Sequence, residues 1–293
     1  MDQKLKIGVI GLGKMGKAIA GRISESEFAV FGWTRSGLSD EDAAKLNISS
    51  VHSLDELAAA SDIIILSLLD DEAVISVLQA LCVHDLSGKL IVDTSTVSPS
   101  ILLGQMDRIR AANCSAIDAP ISGWPVMVAN GTAGLYIGGQ SEDVSRFMPV
   151  AKVISNRIHH VGDLSQGAAT KIVNNMMLAG YWQCLKEALQ VGQSAGLSPE
   201  TLLEILTNSP AANGTLAAKV PVILGESQAV SFTTSGIAKD TQLFKRVAEE
   251  ASIDTPVLDS ALASFQNHCD AGFGEADFVS MVHAALTVEK VTS

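Results

Sequence analysis

The feature that most constrains this chain is a glycine-rich turn close to its start. The mostly apolar run Lys6–Ile10 leads directly into Gly11-Leu12-Gly13-Lys14-Met15-Gly16, and the helical pattern Met15–Ser24 follows. A G-x-G-x-x-G between a strand and a helix is the turn that holds the phosphates of a dinucleotide at a helix N-terminus. An ordinary glycine turn is the alternative, but the position after the first strand favours dinucleotide binding.

Residues 1–162 show the alternation expected of repeated βαβ units. Short runs that stay apolar on both faces predict buried strands, and segments of helical length separate them. The strand candidates are Lys6–Ile10, Phe28–Trp33, Ile63–Leu68 and Leu90–Asp93, with weaker ones at Ala116–Asp118, Ala133–Gly138 and Arg157–Val161. The helix candidates are Met15–Ser24, Ser53–Ala60, Glu72–Cys82 and Pro99–Ala112. We therefore predict an α/β Rossmann domain, a doubly wound parallel sheet, over residues 1–162.

Residues 163–293 have a different pattern, in which helices dominate. Ser165–Ala195 is a long run of helix formers with apolar residues at helical spacing. Ser198-Pro199-Glu200 predicts the start of the next helix, and we expect Pro210, Pro221 and Pro256 to interrupt later segments. The sequence thus predicts a C-terminal all-α domain with a short frayed end after Val288. The apolar character of the long helix also predicts a homodimer or homotetramer.

The end of the second predicted strand bears on the choice between NAD and NADP. NAD-binding domains usually carry a carboxylate there, whereas no Asp or Glu occurs from Phe28 to Ser39. Thr34, Arg35 and Ser36 offer hydroxyls and a guanidinium instead, which suit a ribose 2′-phosphate. We expect NADPH to be preferred over NADH, and a solvated surface arginine is the alternative.

Residues after two further strands should border the same cofactor, since an open α/β sheet binds its ligand beyond the carboxyl ends of its strands. The candidates are Ser67, Leu68 and Leu69 after the third long strand and Thr96 after the fourth. Asp70 and Asp71 are better explained as caps of the next helix, because acidic residues stabilise helix starts.

Three further motifs stand in order along the chain. They are Asp118-Ala119-Pro120-Ile121-Ser122-Gly123, Lys171-Ile172-Val173-Asn174-Asn175 and Lys239-Asp240. Together with Gly11–Gly16 they resemble the β-hydroxyacid dehydrogenase family, which includes 3-hydroxyisobutyrate dehydrogenase and the glyoxylate or succinic semialdehyde reductases. The resemblance covers nearly the whole chain, and four ordered motifs are far more specific than one.

The resemblance implies a role for several residues. Lys171 is then the catalytic lysine, Asn175 helps to hold the substrate, and Ser122 with the Gly123 backbone binds the acid carboxylate. Thr96 and Lys239 look like cofactor contacts. The spacing agrees with these roles, because residues four apart project from one face of a helix. Lys171 can protonate an oxygen that becomes an alkoxide as hydride reaches its carbon, and a surface lysine is the alternative.

Two positions depart from the family pattern. Trp124 stands where relatives typically have a second glycine, and the apolar Val126–Val128 follows soon after. Its ring should border the pocket, so Trp124 is counted among the substrate-binding residues. Ser165 stands where the family often has a glycine, which should stiffen that turn.

Other polar residues do not predict a site of their own. His159-His160 lies on an apparent strand, and no histidine has metal-ligand spacing from Cys or Glu, so we expect no metal. Asp240 could orient a lysine through an ion pair or cap a following helix, and the sequence favours neither.

Composition excludes several kinds of partner. Lys and Arg number 20 against 32 Asp and Glu, and the net charge of −12 repels phosphate backbones and anionic lipid. We expect neither a nucleic-acid nor a membrane partner, only a small aldehyde or hydroxy acid with a carboxylate. The four cysteines form no C-x-x-C pair, and the first residues hold no apolar signal segment, which favours a cytoplasmic protein.

The leading hypothesis is an NADPH-dependent oxidoreductase that interconverts a small β-hydroxy acid and its aldehyde or keto acid, with Lys171 as general acid and base. An imine reductase is the second hypothesis, which Trp124 and Met127 would suit, although imine reductases usually replace the lysine. A dinucleotide-sensing module without turnover is the third.

Overall fold

The computed structural model describes residues 4–287, and the frayed end predicted after Val288 lies outside them. The chain divides into two compact units, the first ending at Val173 and the second beginning at Asn174. That division falls inside a continuous helix, Gln166–Ser194. We keep the boundary at residue 162 as a proposal, because it leaves this helix whole.

The first unit is built on one sheet. Its strands are β1 (Lys6–Ile10), β2 (Ala29–Trp33), β3 (Ser49–Ser50), β4 (Ile63–Leu66), β5 (Leu90–Asp93), β6 (Ser115–Asp118), β7 (Ile121–Ser122), β8 (Gly134–Gly138) and β9 (Arg157–Gly162). They lie in the order β3-β2-β1-β4-β5-β6-β8-β7, and β9 also pairs with β8. β2 and β3 lie on one side of β1, and β4, β5 and β6 lie on the other side. The strand order therefore reverses between β1 and β4, which is the switch point where doubly wound sheets bind ligands.

The doubly wound parallel sheet is confirmed from β1 to β6, whose paired strands all run parallel. Beyond β6 the sheet departs from this pattern. β8 runs antiparallel to both β6 and β7, because the chain turns back after the very short β7. The apolar runs of β1 and β4 are buried on both faces, with Ile7 and Ile63 in one core cluster and Ile10 and Ile64 in the other.

Helices connect the strands. In the first unit they are α1 (Lys14–Ser24), α2 (Asp40–Lys45), α3 (Leu54–Ala60), α4 (Asp71–Leu81), α5 (Ser100–Ala111), α6 (Pro125–Ala129) and α7 (Ser141–Ile154), and α8 (Gln166–Ser194) continues into the second unit. Side-chain caps explain where several begin. Asp70 accepts a hydrogen bond from the Ala73 amide at the start of α4, which confirms its predicted role as a cap.

The second unit is helical. It holds α9 (Pro199–Thr207), α10 (Leu216–Ile223), α11 (Thr234–Glu250), α12 (Pro256–His268), a π-helical turn at Cys269–Phe273, and α13 (Ser280–Thr287). Its aromatic core packs Trp182 edge-on against Phe278, with ring centroids 5.5 Å apart. Ser198 caps α9 as the sequence predicts. The expectation for Pro221 is wrong, because it lies inside α10, near the helix end.

Within residues 4–287, no helix combines the length and the apolar character needed to cross a membrane.

Candidate active site

The glycine turn after β1 is held tightly by the sheet. The Gly11 amide donates to the Trp33 carbonyl at 3.0 Å, and Gly11 has a φ of +92°, which favours glycine. A Cβ on Gly16 would lie 1.8 Å from the Gly11 carbonyl oxygen. Gly11 and Gly16 are therefore required by the fold itself, whatever the turn binds.

Gly13 differs from the other two glycines, because a Cβ there would meet no atom of the described residues within 4 Å. The helix that follows also lacks the usual start. No described side chain caps α1 and its first turn holds no acidic residue, whereas α2, α3 and α4 each begin with a side-chain cap and acidic residues. An exposed glycine beside an uncapped helix N-terminus fits a phosphate group, which the helix dipole attracts.

The segment after β2 places its polar side chains at the surface. Arg35 and Ser36 are exposed and Thr34 is half-buried. The Gly37 amide closes a turn around them by donating to the Thr34 carbonyl at 2.9 Å. Arg35 forms none of the salt bridges found within residues 4–287. Its guanidinium can therefore bind an anion without giving up a carboxylate of this chain.

Hydrogen bonds connect the residues after β4 to the end of β1 and to the loop after β5, beside the glycine turn. The Ser67 amide donates to the Ile10 carbonyl, and the Leu68 amide donates to Ser95 Oγ, both at 2.9 Å. A Cβ on Gly11 would lie 2.3 Å from the Ser67 carbonyl oxygen. The structure thus brings Gly11, Ser67 and Leu68 together at the carboxyl edge of the sheet. Leu69 is exposed and Thr96 is half-buried in the loop after β5.

The motif around Ser122 forms a tight turn between β7 and α6. Ser122 pairs with Gly134 of β8, and Gly123 has a φ of +147°, which favours glycine. Trp124 is the N-cap of α6 with a φ of −104°, an extended conformation that any residue adopts. The backbone therefore accepts a tryptophan here without strain, and the ring is half-buried.

Lys171 and Asn175 lie one turn apart on α8, Lys171 in the first unit and Asn175 in the second. Lys171 is 8 % exposed, so the alternative of a solvated surface lysine is wrong. Asn174 Nδ2 donates to Asn175 Oδ1 at 2.9 Å. The Asn175 oxygen is therefore engaged within the helix, and its Nδ2 is the group that can donate to a ligand.

Asp118 holds the beginning of α8. Its Oδ1 accepts from the Ser165 amide at 2.7 Å and its Oδ2 from the Ala168 amide at 2.5 Å. Burial raises the pKa of Asp118, and these backbone amides oppose the shift. Sequence reasoning assigned Asp118 no role, since the residues it binds are 47 and 50 positions away and leave no local signal.

Asp93 is a second buried carboxyl group, and sequence reasoning gave it no role beyond its position at the cofactor edge of the sheet. It is 1 % exposed, and its Oδ1 accepts from the Ser95 amide at 2.9 Å. Among the described residues no group donates to its Oδ2. Asp93 and Asp118 line a cavity of about 10 Å³, which has room for one water molecule.

Lys239 lies in the second unit, on α11. Its Nζ is 2.8 Å from Asp240 Oδ1, and Asp240 is buried. Thr233 caps this helix, so Asp240 does not act as a cap. The ion pair is thus the alternative that the structure supports.

His160 is structural, as expected. Its Nε2 lies 2.9 Å from the Gly139 carbonyl oxygen. Within the described part of the chain, no three His, Cys, Asp or Glu side chains are grouped so that they could hold a metal ion.

Two family models match this chain. Residues 6–162 match the NAD binding domain of 6-phosphogluconate dehydrogenase, and residues 165–285 match the NAD-binding domain of NADP-dependent 3-hydroxyisobutyrate dehydrogenase. The 2-(hydroxymethyl)glutarate dehydrogenase of Eubacterium barkeri is 30 % identical over 286 residues, which cover 96 % of this chain and 95 % of that protein.

Solved structures show the same fold. A 3-hydroxyisobutyrate dehydrogenase of Mycobacterium tuberculosis, solved with L-serine, has a TM-score of 0.87 at 23 % identity, covering 96 % of this chain and 99 % of that chain. An imine reductase from a Pseudomonas species is more distant, with a TM-score of 0.61 at 22 % identity and coverage of 96 % and 99 %. The family models and the curated relative confirm the resemblance carried by the four motifs. The chain belongs to the β-hydroxyacid dehydrogenase family of NAD(P)-dependent oxidoreductases.

Proposed function

We propose that this protein is an NADPH-preferring reductase of a small aldehyde or keto acid, and in the reverse direction the dehydrogenase of the corresponding β-hydroxy acid. The observation that carries the proposal is the burial of Lys171 on the helix that also bears Asn175. A buried ammonium costs free energy, so a lysine at 8 % exposure needs a reason to be there. General acid catalysis is the reason that fits the family's motifs.

The residues of the first unit fit a nicotinamide dinucleotide. The first turn of α1 with Gly13 would hold the phosphates, and Thr34, Arg35 and Ser36 would bind the adenosine ribose with its 2′-phosphate. Ser67–Leu69 and Thr96 would line the remaining length of the cofactor. The role of Lys239 as a cofactor contact stays a prediction. When bound, the reduced nicotinamide supplies the hydride.

The chain's own residues do the rest of the chemistry. Ser122 Oγ and the Gly123 amide donate hydrogen bonds to the substrate carboxylate, and Trp124 limits the space beside it. Lys171 gives a proton from Nζ to the carbonyl oxygen as negative charge develops there, and Asn175 orients that oxygen. A positioned general acid contributes roughly 10² to 10⁴ in rate.

The experiment follows NADPH oxidation at 340 nm with purified protein. The substrates are glyoxylate, succinic semialdehyde and a cyclic imine. We expect turnover with a carboxylate-bearing aldehyde, and turnover with the imine alone would replace the proposal by the imine reductase hypothesis. Tight NADPH binding without oxidation of any substrate would favour the sensing module.

Lys171→Met tests the general acid, because methionine keeps the length of the side chain and removes its proton. We expect kcat to fall by roughly 10² to 10⁴ while NADPH still binds. Lys152→Met, at an exposed position of α7, is the matched control and should keep full activity. Loss of NADPH binding in Lys171→Met would contradict the assignment.

The homodimer or homotetramer and the cytoplasmic location stay predictions. Light scattering coupled to size-exclusion chromatography gives the mass of the assembly directly, and a mass near 30.6 kDa would mean a monomer.

A further inference from the structure

Asp118 joins two parts of the candidate site that are distant in sequence. It is the last residue of β6, four positions before Ser122, and its carboxylate accepts hydrogen bonds from the amides of Ser165 and Ala168. Ala168 lies in the first turn of α8, and Lys171 is three residues further along the same helix. One side chain therefore fixes the end of the strand and the start of the helix that carries Lys171.

The surroundings hold this carboxylate in place. Asp118 is 3 % exposed, a Cβ on Gly138 would lie 2.6 Å from its Oδ1, and one on Gly167 would lie 2.7 Å from its Oδ2. Glycine at both positions lets the carboxylate reach the helix backbone. A carboxylate that accepts from amides at a helix N-terminus also interacts favourably with the helix dipole.

Ser165 shows that this junction holds the backbone in an unfavourable conformation. Its φ of +86° lies in the left-handed region, and its amide is one of the two that Asp118 binds. Such a conformation costs a non-glycine residue free energy and persists only where surrounding contacts enforce it. The hydrogen bond to Asp118 is such a contact.

We propose that Asp118 is a positioning residue, which anchors the N-terminus of α8 and thereby sets the position of Lys171. The inference rests on the proposed function, in which Lys171 is the general acid. Small displacements of a catalytic group, on the order of 1 Å, can lower the rate about a hundredfold. Losing the anchor should therefore lower kcat more than it weakens the binding of either ligand.

The test is Asp118→Asn. An asparagine of the same size keeps one acceptor oxygen and turns an NH₂ group towards the second amide, so one of the two hydrogen bonds is lost. We expect kcat to fall roughly 10- to 100-fold, with KM for the aldehyde and Kd for NADPH within about threefold of the wild type. Hydrogen exchange of the amides in residues 165–173 should become at least roughly tenfold faster.

Ser53→Ala is the matched control. Ser53 Oγ accepts from the Glu56 amide at the start of α3, so this variant also loses one hydrogen bond at a helix N-terminus. It should lower Tm and leave kcat and the exchange of residues 165–173 unchanged. If Asp118→Asn does not fold, Asp118→Ser takes its place, because serine is smaller than aspartate and its single hydroxyl cannot bind both amides.

Two results would overturn the proposal. One is unchanged exchange of residues 165–173 in Asp118→Asn, and the other is faster exchange with an unchanged kcat. If the wild type fails to oxidise NADPH with every substrate tested, the proposed function fails. The exchange measurement still decides whether Asp118 anchors α8.

Discussion

Asp93 and Asp118 are register partners on the adjacent parallel strands β5 and β6, and both carboxyl groups are buried. Burial is the largest cause that raises the pKa of Asp93 from its ordinary value of 3.8 to about 6. The hydrogen bonds from Ser95 oppose this shift, and the charges of Asp118 and Asp71 contribute to it. Two buried acids side by side favour a state in which one of them keeps its proton.

The stability of the protein should therefore depend on the ionisation of Asp93. Because its pKa is higher in the folded state than in the unfolded chain, the folded state binds the proton more tightly between pH 4 and 6. The free energy of unfolding then falls as the pH rises through this interval, by about 3 kcal/mol for a shift of about two pKa units. Above pH 6 this contribution is lost.

Asp93→Asn removes this titration. We expect the stability of the variant, relative to the wild type, to increase by about 3 kcal/mol from pH 4 to pH 7. Urea unfolding at half-unit pH steps measures the difference. A difference that stays constant with pH would show that Asp93 does not titrate in this interval.

Gly13 and Gly16 of the first turn should respond differently to the same substitution. Gly13→Ala adds a Cβ into open space at an ordinary φ of −71°, so we expect unchanged Tm and roughly tenfold or greater loss of NADPH affinity. Gly16→Ala pushes a Cβ against the Gly11 carbonyl oxygen and should destabilise the fold by about 3 kcal/mol.

Thermal unfolding without cofactor and fluorescence titration with NADPH separate the two effects. Unchanged NADPH affinity in Gly13→Ala would mean that the phosphates bind elsewhere.

The local sequence pattern predicts the first half of the sheet well. The bounds of β1 and β5 agree with the predicted Lys6–Ile10 and Leu90–Asp93, because strands buried on both faces leave an unbroken apolar run. The glycine turn is equally local, since its strand, loop and helix are consecutive. These features could be predicted because the residues that determine them are neighbours in the chain.

Features that depend on distant partners could not be predicted in this way. The antiparallel direction of β8 is set by its pairing with β6 and β7, and nothing in the residues of β8 specifies the direction. The carboxylate of Asp118 binds amides about fifty residues away. The sequence shows an aspartate at the end of an apolar strand, and only the fold brings the start of α8 to it.

Ser165 offers a test of backbone strain. Ser165→Gly removes the cost of a left-handed conformation at φ +86°, but it also increases the conformational entropy of the unfolded chain. The first effect is the larger, so we expect a gain in stability of about 0.5 kcal/mol. Ser145→Gly, at an exposed position inside α7, should instead lose about 0.5 to 1 kcal/mol. Urea unfolding measures the stability of both variants. Equal losses of stability in Ser165→Gly and Ser145→Gly would contradict backbone strain at Ser165.

Arg35 should decide the preference for NADPH. Its exposed guanidinium can donate two hydrogen bonds to a 2′-phosphate, and a hydrogen bond to a charged group contributes about 1.5 to 3 kcal/mol. Arg35→Ala should therefore raise Kd for NADPH roughly 10- to 100-fold and leave Kd for NADH unchanged, since NADH has no phosphate at this position. Arg110→Ala, at an exposed position of α5, should change neither constant.

Titrations at low and high salt add a second criterion, because the effect of Arg35→Ala on the Kd for NADPH should shrink as the ionic strength rises. Equal losses for the two cofactors would place Arg35 away from the 2′-phosphate and leave the preference for NADPH without a residue to explain it.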